Sequence, residues 1–134
     1  MIRKSLQKLV LYYTTHTMIL PLVKYIFDRL GPGRREHIYQ SALSHLLHKN
    51  NIEHVCEHTY PILLDNHPVG YGRLDIYIPG QCILELKITP ISLTHKAQAA
   101  AYANDFNLPV MIISFTKNVQ THLIGQPCKL LEDS

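Results

Sequence analysis

The sequence predicts an α/β fold with a mixed central sheet flanked by helices. Strand-like segments joined by short turns run consecutively through residues 52 to 88, with helical periodicity on either side of them. The later segment "VMIISF" is apolar without alternation, as a strand covered on both faces is. The order is helix, three strands, helix, strand. A chain of 134 residues suits one domain, and 46% hydrophobic against 17% charged residues excludes a disordered polyelectrolyte.

Residues 1–16, "MIRKSLQKLVLYYTTH", read as a basic, mildly amphipathic N-terminal extension. Thr17 is the expected N-cap of the next helix, with Pro21 near its first turn. That helix should stop at Gly31-Pro32-Gly33, where proline and glycine break the pattern. A second helix is expected from Arg34 to Lys49. Its apolar half-wheel holds Ile38, Tyr39, Ala42, Leu43, Leu46 and Leu47, with Glu36 falling beside Leu43. A carboxylate on an apolar face needs a partner or a purpose.

Three strands follow at 52–64, 69–78 and 81–88, separated by "DNHP" and by Pro79-Gly80, which makes an antiparallel meander. "THKAQAAAYANDF" is Ala-rich and helical, and "VMIISF" closes the regular pattern. The domain is thus expected over 17–116, with 117–134 a loosely docked tail.

Thirteen Lys and Arg against ten Asp and Glu give a net charge of +3, which permits a polyanionic partner without demanding one. The cysteines Cys56, Cys82 and Cys128 are odd in number and form no C-x-x-C pair, so buried thiols in an intracellular, reducing compartment are expected. Lys24, Asp28 and Arg29 interrupt the best apolar run, which excludes a membrane span of about 20 residues. The N-terminal patch is too short for a signal peptide, and no small-residue cleavage site follows it.

In "RLDIYIPGQCILELK" the apolar residues Leu74, Ile76, Ile78, Cys82, Leu84 and Leu86 alternate with Arg73, Asp75, Tyr77, Ile83, Glu85 and Lys87. Strand side chains alternate faces, so the even positions, with Ile88, should point to the core and the odd positions should cluster on the other side. Both apolar sets share a face only if paired residues have equal parity. A three-residue loop or a bulge at Pro79-Gly80-Gln81 achieves this and sets Asp75 roughly across from Glu85. Adjacent carboxylates repel unless a cation lies between them. Hard oxygen donors suit Mg²⁺ or Mn²⁺, and a lysine beside them suits metal-assisted phosphodiester hydrolysis.

With Asp75-x(9)-Glu85-x-Lys87 across a hairpin, and Glu36 on a preceding helix, the chain resembles the PD-(D/E)XK nuclease superfamily. Gly33, Glu36 and Tyr39 in "GPGRREHIY" have the spacing that names its GxxExxY branch. Gln98-x-x-x-Tyr102 resembles the motif of the RecB-like nucleases. The likeness runs from Met18 to Phe115. It departs from the pattern at Leu74, where the name has proline, and at Phe27, Ser114 and Thr116, where the branch carries histidine, asparagine and glycine. None of these is a metal ligand.

The resemblance implies a restriction-endonuclease-like αβββαβ core that cleaves DNA with Mg²⁺ or Mn²⁺. It implies Asp75, Glu85 and the Leu86 backbone carbonyl as metal ligands, with Glu36 supporting a ligand or a second metal. Lys87 would position the water, while Gln98 and Tyr102 would orient the site or the strand. Arg34, Arg35 and Lys96 are the expected nucleic-acid contacts.

Blander readings stand beside these. Asp75, Glu85 and Lys87 could form a solvated strand face, Glu36 could simply favour a helix dipole, and Arg34 and Arg35 could be merely exposed. Zinc at His54, Cys56 and His58 fits no standard spacing. A noncatalytic nuclease-fold module, serving as a nucleic-acid-binding or structural component of a larger assembly, is the alternative function, with residues 1–16 as the docking arm to that assembly or to a second copy in a homodimer. RNA remains open as a substrate, and a viral or prokaryotic source is compatible with the reading.

Overall fold

The computed structural model describes residues 2–125. Helix α1 (Ile2–Leu30) is followed by α2 (Glu36–Lys49), then by strands β1 (Val55–Leu64), β2 (His67–Ile78) and β3 (Cys82–Lys87). Helix α3 (Leu93–Phe106) leads to β4 (Val110–Phe115) and β5 (Val119–Ile124). The strands lie in the order β1-β2-β3-β4-β5, antiparallel except for the parallel pair β3 and β4 that α3 connects. The α/β class and mixed sheet are those expected from the sequence.

Helices α1 and α2 cover one face of the sheet. Ile19, Val23 and Ile26, at helical spacing, pack with Tyr39, Leu43 and Leu47 onto Ile76, Ile78, Leu84 and Leu86. Helix α3 covers the other face, where Ala99 and Tyr102 meet Leu74, Ile83, Val110 and Ile112. Every residue of β4 is buried, because helices close both of its faces.

Three local expectations are corrected. Thr17 caps nothing: α1 runs through it, and its hydroxyl donates to the Tyr13 carbonyl at 2.8 Å. Pro21 sits inside the helix instead of near its start. Thr17 and Pro21 are both exposed, so water can satisfy the carbonyl that proline leaves unpaired. Residues 119–124, expected within a loose tail, form β5 against β4; the tail beyond Gly125, with Cys128, lies outside the described residues. Of the other thiols only Cys82 is buried, its pKa pushed up to about 11 by burial, whereas Cys56 is exposed.

The tyrosine of the Gly33, Glu36, Tyr39 spacing is structural. Tyr39 is fully buried and stacked on Phe115 at 4.1 Å, and its hydroxyl donates to the Gly31 carbonyl at 2.6 Å while accepting from the Arg34 amide at 3.2 Å. It fastens the Gly-Pro-Gly loop from which Glu36 emerges. Tyr39→Phe should therefore cost about 1–2 kcal/mol in urea unfolding; an unchanged midpoint would show that the loop is held some other way.

Candidate active site

The β2–β3 hairpin has the equal-parity register, pairing Ile76 with Leu84, Tyr77 with Ile83 and Ile78 with Cys82 around the three-residue loop 79–81. Continuing that register brings Asp75 opposite Glu85. There the ladder gives way to side chains. The Asp75 amide donates to Glu85 Oε1 at 3.1 Å, and the Leu86 amide donates to Asp75 Oδ2 at 2.8 Å. Both carboxylates are buried, with exposures of 6% and 4%.

Burial and the neighbouring Asp75 charge push the Glu85 carboxyl up to about 8, and the two acids are close enough to share a hydrogen bond. A solvated strand face would do neither. Glu36, at the first position of α2, is raised by burial and then by Asp75, against the lowering charges of Lys87 and Arg73. Lys87 also lowers Glu85. On α3, the phenol of Tyr102 is raised by burial and by both carboxylates, and the Arg73 amide hydrogen-bonds to it. Glu36, Asp75, Glu85, Lys87 and Tyr102 are therefore linked in one electrostatic network, Asp75 acting on Glu36, Glu85 and Tyr102, and Lys87 on Glu36 and Glu85.

The convergence is looser than a single coordination sphere. Among the described residues no three His, Cys, Asp or Glu side chains are placed to hold one metal ion. Glu36 stands in the field of Asp75 rather than in a shared ligand shell. Gln98 is exposed one helical turn before Tyr102 on α3. Arg34 and Arg35 are exposed at the start of α2, the former bonding the Leu30 carbonyl through Nε at 3.1 Å. Lys96 lies instead near His122 of β5, whose pKa falls through burial and that charge.

The even-odd rule fails at one point. Leu74 packs with Ile83 under α3, whereas Ile76 packs with Leu84 under α1 and α2. Glu57 of β1, in a left-handed conformation at φ 53°, drops out of the ladder opposite Asp75. The local break turns β2 over and frees Asp75 from pairing. It also sends Cys56 and His58 to opposite faces, since they pair with Ile76 and Leu74. His58 stacks on Tyr77 at 5.0 Å, and His54 bonds Ser44 at 2.7 Å, so the three do not converge as zinc ligands. Ile88, expected in the core, is 43% exposed just past the end of β3.

Sequence reasoning missed Tyr60 and Asp105. The Tyr60 hydroxyl donates to Asp105 Oδ2 at 2.7 Å, tying β1 to α3. Its ring lies over its cross-strand partner Gly72, where an added Cβ would come within 2.5 Å of it. An aromatic opposite a glycine in paired strands is the signal that could have found it. Gly72→Ala should lower stability by about 1–3 kcal/mol, and combining it with Tyr60→Ala should cost less than the sum of the two. Strict additivity in a double-mutant cycle would remove the contact.

A profile described as the PD-(D/E)XK nuclease superfamily matches residues 14–124. The chain belongs to that superfamily. A solved structure described as "Crystal structure of SSO0001" aligns with a TM-score of 0.49 and 16% identity, covering 93% of this chain and 67% of the other. No curated protein matches the sequence.

Proposed function

We propose that this chain is a GxxExxY-type nuclease that hydrolyses DNA phosphodiesters with Mg²⁺ or Mn²⁺. The observation that carries the reading is the buried Asp75–Glu85 pair, whose charges oppose each other at the edge of a split ladder. Folding two carboxylates into repulsion is costly without a cation to relieve it. Oxygen donors alone fit a hard divalent ion.

Asp75 and Glu85 would hold that ion, with the Leu86 carbonyl a third donor. Glu36 would support the site through its field on Asp75. When bound, Mg²⁺ or Mn²⁺ supplies charge neutralisation at the scissile phosphate and acidifies the attacking water. Lys87, within charge range of Glu85 and Glu36, orients that water and stabilises its deprotonated form electrostatically. Tyr102 and Gln98 direct the substrate strand from α3, while Arg34 and Arg35 neutralise phosphates at the start of α2; a similar role for Lys96 lies farther off, at β5. Incubating the protein with single-stranded, duplex and branched DNA, with and without Mg²⁺, tests the reading. Cleavage that needs the metal is expected, and its absence from every substrate would overturn the proposal.

A second reading is favoured by one observation. Leu6, Val10 and Tyr13, spaced along one face of α1, are 50%, 61% and 55% exposed. A noncatalytic module that docks into a larger assembly, or onto a second copy, through residues 1–16 would use that stripe. Calorimetric titration with Mg²⁺ separates the readings, because a scaffold has no need to bind a cation at Asp75 and Glu85. No helix among the described residues is long and apolar enough to cross a membrane.

A further inference from the structure

The paired strands β1 and β2 continue past the carboxylates. Nine pairs join them, from Val55↔Tyr77 to Leu64↔His67, while β2 pairs with β3 only at Ile76, Tyr77 and Ile78. The outer part is thus a two-stranded ribbon, closed by Asp65 and Asn66 at φ 51° and 62°, the conformation of a tight two-residue hairpin. Tyr60 and Gly72 occupy the face toward α3, so alternation places Tyr71 and Arg73 on the opposite face. Tyr71 is 73% exposed, with Val69 and Arg73 as its same-face neighbours along the strand and Pro61 across from it, none of which covers its ring.

The geometry points to Tyr71 as a stacking platform for an unpaired base of single-stranded DNA, with Arg73 carrying the adjoining phosphate toward Asp75 and Glu85. This rests on the nuclease reading above and names its substrate. Tyr71 stands four residues before Asp75, about 13 Å along the strand. Arg73 lies between them, its side chain 60% exposed and within charge range of Glu36. Arg34 and Arg35, exposed just before Glu36, extend the positive charge on the same side of the sheet. Arg73 therefore stands between Tyr71 and Asp75 along β2, a positive group complementary to a phosphate chain.

Single-stranded DNA fits better than duplex. A bare aromatic ring gains stacking only from a base whose face is free, and paired bases already stack on one another. Duplex binding depends on many phosphate contacts. The ribbon itself carries Glu57 and Asp65, and Arg73 already lies 3.7 Å from Glu57.

The chain has no tryptophan, so Tyr71→Trp introduces a single indole reporter. In EDTA, where cleavage is silent, titration with oligo(dT) should quench that emission saturably, and a duplex of equal length should not. Fluorescence anisotropy should show Tyr71→Ala binding oligo(dT) roughly fivefold or more weakly, with duplex affinity altered less than twofold and Tyr71→Phe retaining most of the single-strand affinity. Unquenched emission, or equal loss on both substrates, would overturn the platform. A concentration-dependent dimer that Tyr71→Ala abolishes would assign the face to a second copy and overturn it too. Quenching without Mg²⁺-dependent cleavage would sink the nuclease reading alone; cleavage with Tyr71 irrelevant would sink the platform alone.

Discussion

Lys87→Ala is expected to reduce Mg²⁺-dependent DNA cleavage by at least about 10²-fold, the scale of losing a group that manages a proton in the transition state. Stability should change little, because Lys87 is only partly buried at the end of β3 and outside both apolar clusters. Asp75→Asn should abolish cleavage as well, through loss of a ligand charge, while its amide oxygen still accepts from the Leu86 amide. Asp75→Ala is the poorer variant. It leaves that buried N–H without its 2.8 Å partner, at about 1–3 kcal/mol. Single-turnover assays beside thermal unfolding separate the two effects. Cleavage at the parent rate in a folded Lys87→Ala or Asp75→Asn protein would show that the chemistry lies elsewhere.

Metal-free protein should lose stability as pH rises from about 5 to 9. The Glu85 carboxyl is raised from its ordinary value of 4.5 to about 8 by burial and by Asp75, so the fold prefers its protonated form. That preference contributes fully below the unfolded value, near 4.5, and disappears as pH climbs through about 8. A fall in Tm on the order of 5 °C is expected across this window. Mg²⁺ should restore most of it at pH 8 and little at pH 5, where the ion must displace a proton. Asp75→Asn, which removes the repelling charge, should flatten the profile without metal. A metal-free Tm that rises steadily from pH 5 to 9 would contradict the repulsive pair.

How much of this was legible in the sequence differs from residue to residue. Equal parity across Pro79-Gly80-Gln81 follows from the two alternating apolar runs, since a slip of one residue would turn a whole strand over. The pairing of Asp75 with Glu85 could therefore be anticipated, as could the buried character of β4. The position of Glu36 beside Leu43 on the helical wheel marked it as a carboxylate needing a reason, and it lies in the field of Asp75.

Alternation, helical period and motif spacing by themselves determined the α/β class, the strand register at the site and the superfamily. These are local periodicities that a linear chain carries whole. Tertiary structure alone decided that α1 runs through Thr17 and Pro21, because a proline reads the same at a helix start as on its solvent side. It decided that β5 joins the sheet, since an edge strand with mixed burial has weak periodicity and gains its hydrogen bonds only once β4 is in place. It decided too that β2 turns over at Asp75. That break comes from Glu57 leaving the ladder of the neighbouring strand, a constraint imposed across the sheet that no pattern within "RLDIYI" records.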